Sequence, residues 1–250
     1  MELFVVDSPD ELGRVAADVV VDRLSRREHA VFGVATGSSP LPVYAELAAR
    51  VADGRVDLRE VRAFALDEYV GLDPAHPESY RSVVHREVTV PLGLDPAHVR
   101  VPDGVGADGA GDREELQRRA AEYDRSIADA GGVDVQLLGI GANGHIGFNE
   151  PRSSLQSRTR VKALTEATRR DNARFFGPGE VVPTHSVTQG VGTILEARHL
   201  LLVARGAAKA AALAAAVDGP ITAALPASVL QWHRSVTVVA DRAAAGLLVA

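Results

Sequence analysis

Short apolar runs alternate along the chain with segments of helical periodicity, at Leu3 to Val6, Ala30 to Ala35, Val61 to Leu66, Val133 to Gly139, His199 to Ala204 and Ser235 to Ala240. A strand covered on both faces never meets water, so it reads as an unbroken apolar stretch rather than as an alternation. The six runs therefore predict an α/β chain with a three-layer, Rossmann-like fold: a mostly parallel sheet with helices on both faces. The segments between them carry helix signals. Ser8-Pro9-Asp10-Glu11 supplies an N-cap, a proline at the first helical position and a glutamate at N3. Asp112 to Ala130 is charged on one face, as in a helix that covers the sheet and faces solvent. Ala207 to Val217 is rich in alanine, the strongest helix former, with Lys209 and Leu213 giving it two faces.

Composition narrows this picture. At 250 residues one substantial core is within reach, and the 13 prolines and 23 glycines fall between periodic segments without marking a linker. One domain over residues 1–250 is the expectation. With 33 acidic and 27 basic residues the formal charge is −6, which disfavours nonspecific binding to nucleic acid or anionic membrane. The chain has no cysteine, which rules out disulfides and thiolate metal sites and suits a reducing cytosol. No apolar run approaches the ~18 residues that a spanning helix needs, and no basic leader precedes Leu3. A cytoplasmic location is the expectation. The apolar pattern does not separate a core face from a subunit interface, so self-association stays open.

Three segments carry candidate chemistry. Leu138 to Pro151 reads LGIGANGHIGFNEP, four glycines around His145 just past the end of an apolar run, which is where open α/β sheets bind ligands. Ala35 to Pro40, ATGSSP, places small residues between a strand and a helix start, a turn that can offer amides, hydroxyls and a helix dipole to phosphate. Many such turns contain glycine and serine for geometry alone. Phe64 to Leu72 ends a strand in Asp67 and Glu68; neighbours on extended chain point to opposite sides, so one of them faces a given pocket, and Asp67 is the expected one. Acids at strand ends also cap turns, and that alternative stands on this segment taken alone. His76, His85, His185, His199 and His233 read as surface or packing residues.

Taken together, ATGSSP, LDEYVGL (66–72), HPESYRS (76–82), GIGANGHIGFNEP (139–151), SSLQSRTRVK (153–162) and NARFF (172–176) resemble the glucosamine-6-phosphate deaminase family, also called glucosamine-6-phosphate isomerase, over nearly the whole chain. The resemblance implies an aldose–ketose isomerisation coupled to loss of ammonia: glucosamine 6-phosphate and water give fructose 6-phosphate and ammonia. It implies that His145 opens the sugar ring, that Asp67 moves the proton between C2 and C1, and that Glu150 and Asn143 orient and polarise His145. Thr36, Gly37, Ser38, Ser39, Gly141, Arg174 and Lys209 would bind the sugar phosphate. No metal and no cofactor is implied. Many family members carry aspartate at the position of Asn143; the amide oxygen here is expected to accept the imidazole N–H. Ser153, Arg160 and Lys162 match positions that some hexameric members use for the activator N-acetylglucosamine 6-phosphate. Because the last strand lies close to Ala250, little or no activation is expected. Two alternatives are a 6-phosphogluconolactonase-like hydrolase, against which LDEYVGL argues because ester hydrolysis needs no C2 base, and a non-catalytic sugar-phosphate-sensing domain. The sensors carry a helix-turn-helix in front, for which a strand at Leu3 leaves no room.

Overall fold

The computed structural model describes residues 1–105 and 112–249. In chain order its first half comprises β1 (Glu2–Val6), α1 (Pro9–Leu24), β2 (Val31–Val34), α2 (Leu41–Ala52), β3 (Arg62–Ala65), β4 (Asp67–Tyr69), α3 (Tyr80–Val84), β5 (Val99–Arg100) and α4 (Arg113–Asp129). Then follow β6 (Val135–Leu138), β7 (Arg160–Ala163), α5 (Glu166–Asn172), β8 (His185–Thr188), α6 (Val191–Leu195), β9 (Leu200–Ala204), α7 (Ala210–Val217), β10 (Val236–Asp241) and α8 (Arg242–Ala245). A π-helical turn, His85–Thr89, continues α3.

Seven strands form one sheet in the order β1-β10-β9-β6-β2-β3-β5, with every neighbouring pair parallel. All six apolar runs are strands of this sheet. β2, β6 and β9 are buried at every position, the consequence of helices covering both faces. β1 departs from that pattern: it is the edge strand, and Leu3, Phe4 and Val5 each remain more than 40 % exposed. The core is one continuous cluster in which Leu12, Val20, Phe32, Leu47, Leu137, Leu201 and Val238 are fully enclosed. Running outward from β2 the strands are β3 and β5; on the other side they are β6, β9, β10 and β1. The strand order thus reverses between β2 and β6, and a crevice opens beyond their carboxyl ends.

A second sheet, β4-β8-β7, is antiparallel and short. Its small core is Tyr69, Phe148, Leu164 and Val182. The hydrophobic pattern gives no sign of it, because β4 reads Asp-Glu-Tyr and β7 reads Arg-Val-Lys-Ala, with no apolar run in either. Only Leu66 separates β3 from β4, so one extended stretch leaves the large sheet and enters the small one at Asp67.

The helix starts follow their local chemistry. The Ser8 side chain accepts from the Glu11 N–H at 3.1 Å, while the Glu11 carboxylate accepts from the Asp7 N–H, one residue earlier than a reciprocal box would have it. Asp112 caps α4. The alanine-rich segment starts as a 3-10 turn, Ala207–Lys209, and becomes α-helical at Ala210; Leu213 is its buried anchor. Among the described residues no helix is long and apolar enough to cross a membrane.

Candidate active site

The crevice at the strand-order reversal is a cavity of about 750 Å3, and nine expected residues line it: Thr36, Gly37, Ser38, Ser39, Asp67, Gly141, His145, Arg174 and Lys209. The turn after β2 is held by Tyr44, whose hydroxyl donates to the Ala35 carbonyl at 2.7 Å and accepts from its N–H at 3.0 Å. No side chain caps α2, so the Ser38 and Ser39 hydroxyls are not used up at the helix start. Gly37 has φ +92°, a left-handed conformation that a side chain would strain. A separate groove of about 800 Å3, lined by residues that include Arg81, Arg100, Arg119 and Tyr123, contains none of the expected residues.

Asp67 and Glu68 divide as the extended backbone requires. Glu68 points away from the cavity and accepts the N–H groups of Tyr69 (2.7 Å), Tyr80 (2.9 Å) and Arg81 (2.9 Å), fastening the start of α3. Asp67 faces the cavity and is 5 % exposed. Burial, reinforced by the neighbouring Glu68 charge, pushes its carboxyl up to about 8, against the opposing pull of the Phe148 N–H and the Thr188 hydroxyl. The strand end before it is pinned: Tyr123 Oη donates to the Ala65 carbonyl at 2.7 Å and Gln189 Nε2 donates to the same oxygen at 3.0 Å.

His145 lies opposite, in the loop after β6. The Gly141 Cα packs directly on its ring, so that a Cβ there would come within 2.3 Å of Nδ1. Burial lowers the imidazole below the usual histidine range, with Lys209 adding to the effect and Glu150 and Asp171 opposing it. Glu150 and Asn143 do not line the cavity. Glu150 Oε2 stands 3.8 Å from His145 Nδ1, beyond hydrogen-bond reach. Burial works against the Glu150 charge, but donors from Thr168, Asn143 and Thr165, with the imidazole, hold its carboxyl below the ordinary glutamate value.

Asn143 differs from expectation. Its amide oxygen accepts the backbone N–H of His145 at 3.2 Å rather than the imidazole, and its Nδ2 donates to Glu150 Oε2 at 2.9 Å. The loop is too tight for the amide to reach around to the ring: Asn143 is two residues from His145, and its side chain closes a local turn instead. Asn143 therefore bears on the histidine through Glu150 and the backbone.

The basic residues converge from two elements. Arg174 comes from the 3-10 turn Ala173–Phe175 after α5, its guanidinium 4.8 Å from the Phe175 ring centroid, and Lys209 immediately precedes α7. Burial lowers the Lys209 ammonium, which Asp171 opposes and Arg174 reinforces. Ser153, Arg160 and Lys162 sit outside the cavity, behind Glu150 and along β7. Ser153 Oγ donates to the Glu150 carbonyl at 2.6 Å, and Arg160 Nη1 donates to Asn149 Oδ1 at 2.9 Å. Sequence reasoning missed Arg205, Tyr80 and Asp171 in the cavity wall. Arg205 was within reach, since it follows β9 as Thr36 follows β2. His199, buried and bonded to Ser235, and His76, stacked on Phe176, lie outside the cavity wall, in agreement with their reading as surface or packing residues. Among the described residues no cluster of three or more His, Asp or Glu side chains could hold a metal ion.

Known proteins resemble the chain in sequence and in fold. Over 248 residues the chain is 54% identical to a glucosamine-6-phosphate deaminase of Cutibacterium acnes, covering 99% of this chain and 92% of that protein. A glucosamine-6-phosphate deaminase of Streptomyces coelicolor is 55% identical over 249 residues, with 99% and 93% coverage. Among solved structures, a monomeric glucosamine-6-phosphate deaminase superposes with a TM-score of 0.92 at 35% identity, covering 99% of this chain and 100% of that one. The 6-phosphogluconolactonase from Trypanosoma cruzi shares the fold, with a TM-score of 0.80 at 22% identity and coverage of 100% and 97%. The model of the glucosamine-6-phosphate isomerases/6-phosphogluconolactonase family matches residues 7–239, a range that includes β2, β6 and the nine expected residues of the crevice between them. The chain belongs to that family.

Proposed function

We propose that the chain is a single-domain glucosamine-6-phosphate deaminase, converting glucosamine 6-phosphate and water to fructose 6-phosphate and ammonia in amino-sugar catabolism. The observation that carries this reading is a buried carboxylate, Asp67, facing the same cavity as an imidazole that burial disfavours charging, His145, with two cations and a hydroxyl-rich turn also in its wall. A lactone hydrolase has no use for a carboxylate poised for proton transfer between carbons. A cytoplasmic site of action fits a chain without cysteine.

The chemistry assigns each group a task. The phosphate dianion is held by Arg174 and Lys209 and by donors of the Thr36 to Ser39 turn. His145, neutral at physiological pH because burial depresses its pKa, takes the O1 proton and delivers one to O5, which opens the ring to the aldehyde. Glu150 stabilises the imidazolium formed in passing. Asp67 then removes the C2 proton and returns it to C1. A raised pKa makes it a stronger base once ionised, and the substrate's C2 ammonium favours the ionised form. With one proton of the C2 ammonium passing to O1, the product of this transfer is an iminium at C2; water adds there and ammonia leaves, giving the ketose.

Stoichiometric release of ammonia and fructose 6-phosphate from glucosamine 6-phosphate tests the reading. Hydrolysis of 6-phosphogluconolactone without ammonia release from the amino sugar would overturn it.

A further inference from the structure

Arginine and lysine enter the cavity wall at Arg86, Arg174, Arg205 and Lys209. Arg174 and Lys209 are already assigned to the phosphate, and Arg86 is occupied by the Pro77 carbonyl at 3.0 Å and by Glu87 at 3.4 Å. Arg205 has no such partner. Among the described residues its guanidinium makes a single hydrogen bond, from Nη1 to the Ser38 carbonyl at 3.4 Å, longer than the usual ~3.2 Å limit for an N–H···O bond. The acids of the wall leave it unneutralised. Asp67, Glu78, Glu87 and Asp171 form no ion pair with it. Asp241, which continues the register that pairs Ala240 with Ala204, accepts the Gly206 N–H on both oxygens (3.0 and 2.9 Å) and the Ala244 N–H at 2.7 Å. Those bonds hold the chain where Gly206 turns at φ +86°, so the backbone carrying Arg205 is fixed. From there the side chain reaches from the end of β9 to the turn after β2, across the carboxyl end of β6, the strand between them.

The geometry points to Arg205 as a third cation of the phosphate site, a binding residue that exchanges its long bond to the Ser38 carbonyl for the 6-phosphate of the sugar; this rests on the function proposed above. A guanidinium only donates and stays charged at every working pH, so its partners on a sugar phosphate are hydroxyl or phosphate oxygens. Its place beside Ser38, within the turn assigned to the phosphate, selects the phosphate. A dianion is a far stronger acceptor than a neutral carbonyl, and it fits the guanidinium fork with two parallel bonds.

Arg205→Met tests this, because it keeps the apolar stem and removes the charge and the donors. Calorimetric binding of inorganic phosphate and of fructose 6-phosphate should each weaken by about 10- to 100-fold. KM for glucosamine 6-phosphate should rise with kcat little changed, as when binding common to ground and transition states is lost. Arg205→Lys should recover part of the affinity. Two further measurements separate contact from indirect effects. Arg86→Gln removes a charge from the same wall and should leave both affinities within about twofold of the parent, since a distant charge acts only through a screened field. Amide hydrogen exchange from Thr36 to Ser39 in ligand-free Arg205→Met should match the parent. Parent-like binding of both phosphates would overturn the proposal. An equal loss in Arg86→Gln would reduce it to the general field of the cavity, and faster exchange in the turn would make Arg205 a brace for Ser38; either result overturns it too. If the parent protein releases no ammonia from the amino sugar, the proposed function fails, while inorganic phosphate still decides whether Arg205 holds a dianion.

Discussion

At Asp67 catalysis and stability pull against each other. The folded protein holds its carboxyl at about 8, whereas an unfolded chain titrates it near ~3.9. Across that window the native state binds the extra proton, so its advantage is full below the lower value and is lost as pH rises through the upper one. Asp67→Asn should therefore be more stable than the parent, by a margin that widens from about pH 4 to about pH 8, while ammonia release falls by about 100- to 10,000-fold. Thermal melts across pH and a coupled ammonia assay check both halves; near-normal turnover would remove Asp67 from the mechanism. Asn143 invites the opposite experiment. Its Nδ2 donates to Glu150 at 2.9 Å, so Asn143→Asp sets two carboxyls face to face. Such a pair retains one proton at low pH and repels once both ionise. The variant's Tm should match the parent near pH 5 and fall progressively behind it toward about pH 8. A deficit independent of pH would show that the Asn143–Glu150 contact is not what the substitution disturbs. Asp67, His145 and the Thr36 turn were legible in the sequence because glycine spacing and strand ends leave a one-dimensional trace. The direction of the Asn143 amide was not, since a rotamer two residues from its partner depends on how tightly the loop closes.

Among the elements, the segment from α5 through the 3-10 turn at Ala173–Phe175 contributes Thr168, Asp171, Asn172, Arg174 and Phe175 to the cavity wall. Its sequence is mostly polar, and polar segments between apolar runs read as loops or surface helices, which is why only Arg174 stood out there. The small sheet was invisible for a related reason: β7 is half-exposed and β4 is buried through Glu68 hydrogen bonds and the Tyr69 ring rather than through aliphatic side chains. The large sheet was readable because its central strands are wrapped on both sides. Arg174→Ala tests the segment's role. Removing one charge-assisted grip on the dianion should weaken sugar-phosphate binding by about 2 kcal/mol while leaving the rate of bound substrate less affected. Titration with fructose 6-phosphate, beside a comparison of phosphorylated and unphosphorylated glucosamine, measures it. Equal handling of the two sugars would contradict the phosphate assignment.

For the whole molecule, the passage from β3 through Leu66 into β4 divides the machinery between two sheets. Asp67 stands on the small sheet, and Arg174 lies on the connection between β7 and β8; His145, Lys209 and the Thr36 turn follow strands of the large one. A ligand gripped by both sets becomes a tie between two bodies of unequal cohesion. The small sheet has three short strands around four buried side chains, so it should open by local fluctuation well before the large sheet does. Amide hydrogen exchange in β4, β7 and β8 should then be faster than in β9 and β10 in the free protein. At 100 times the dissociation constant of fructose 6-phosphate it should slow by up to about 100-fold, the equivalent of roughly 2.7 kcal/mol. Protection confined to the loops that touch the ligand would refute this. If it spreads through the small sheet, substrate is in effect a removable cross-link, and this half of the active site is at its most ordered only while there is sugar to convert.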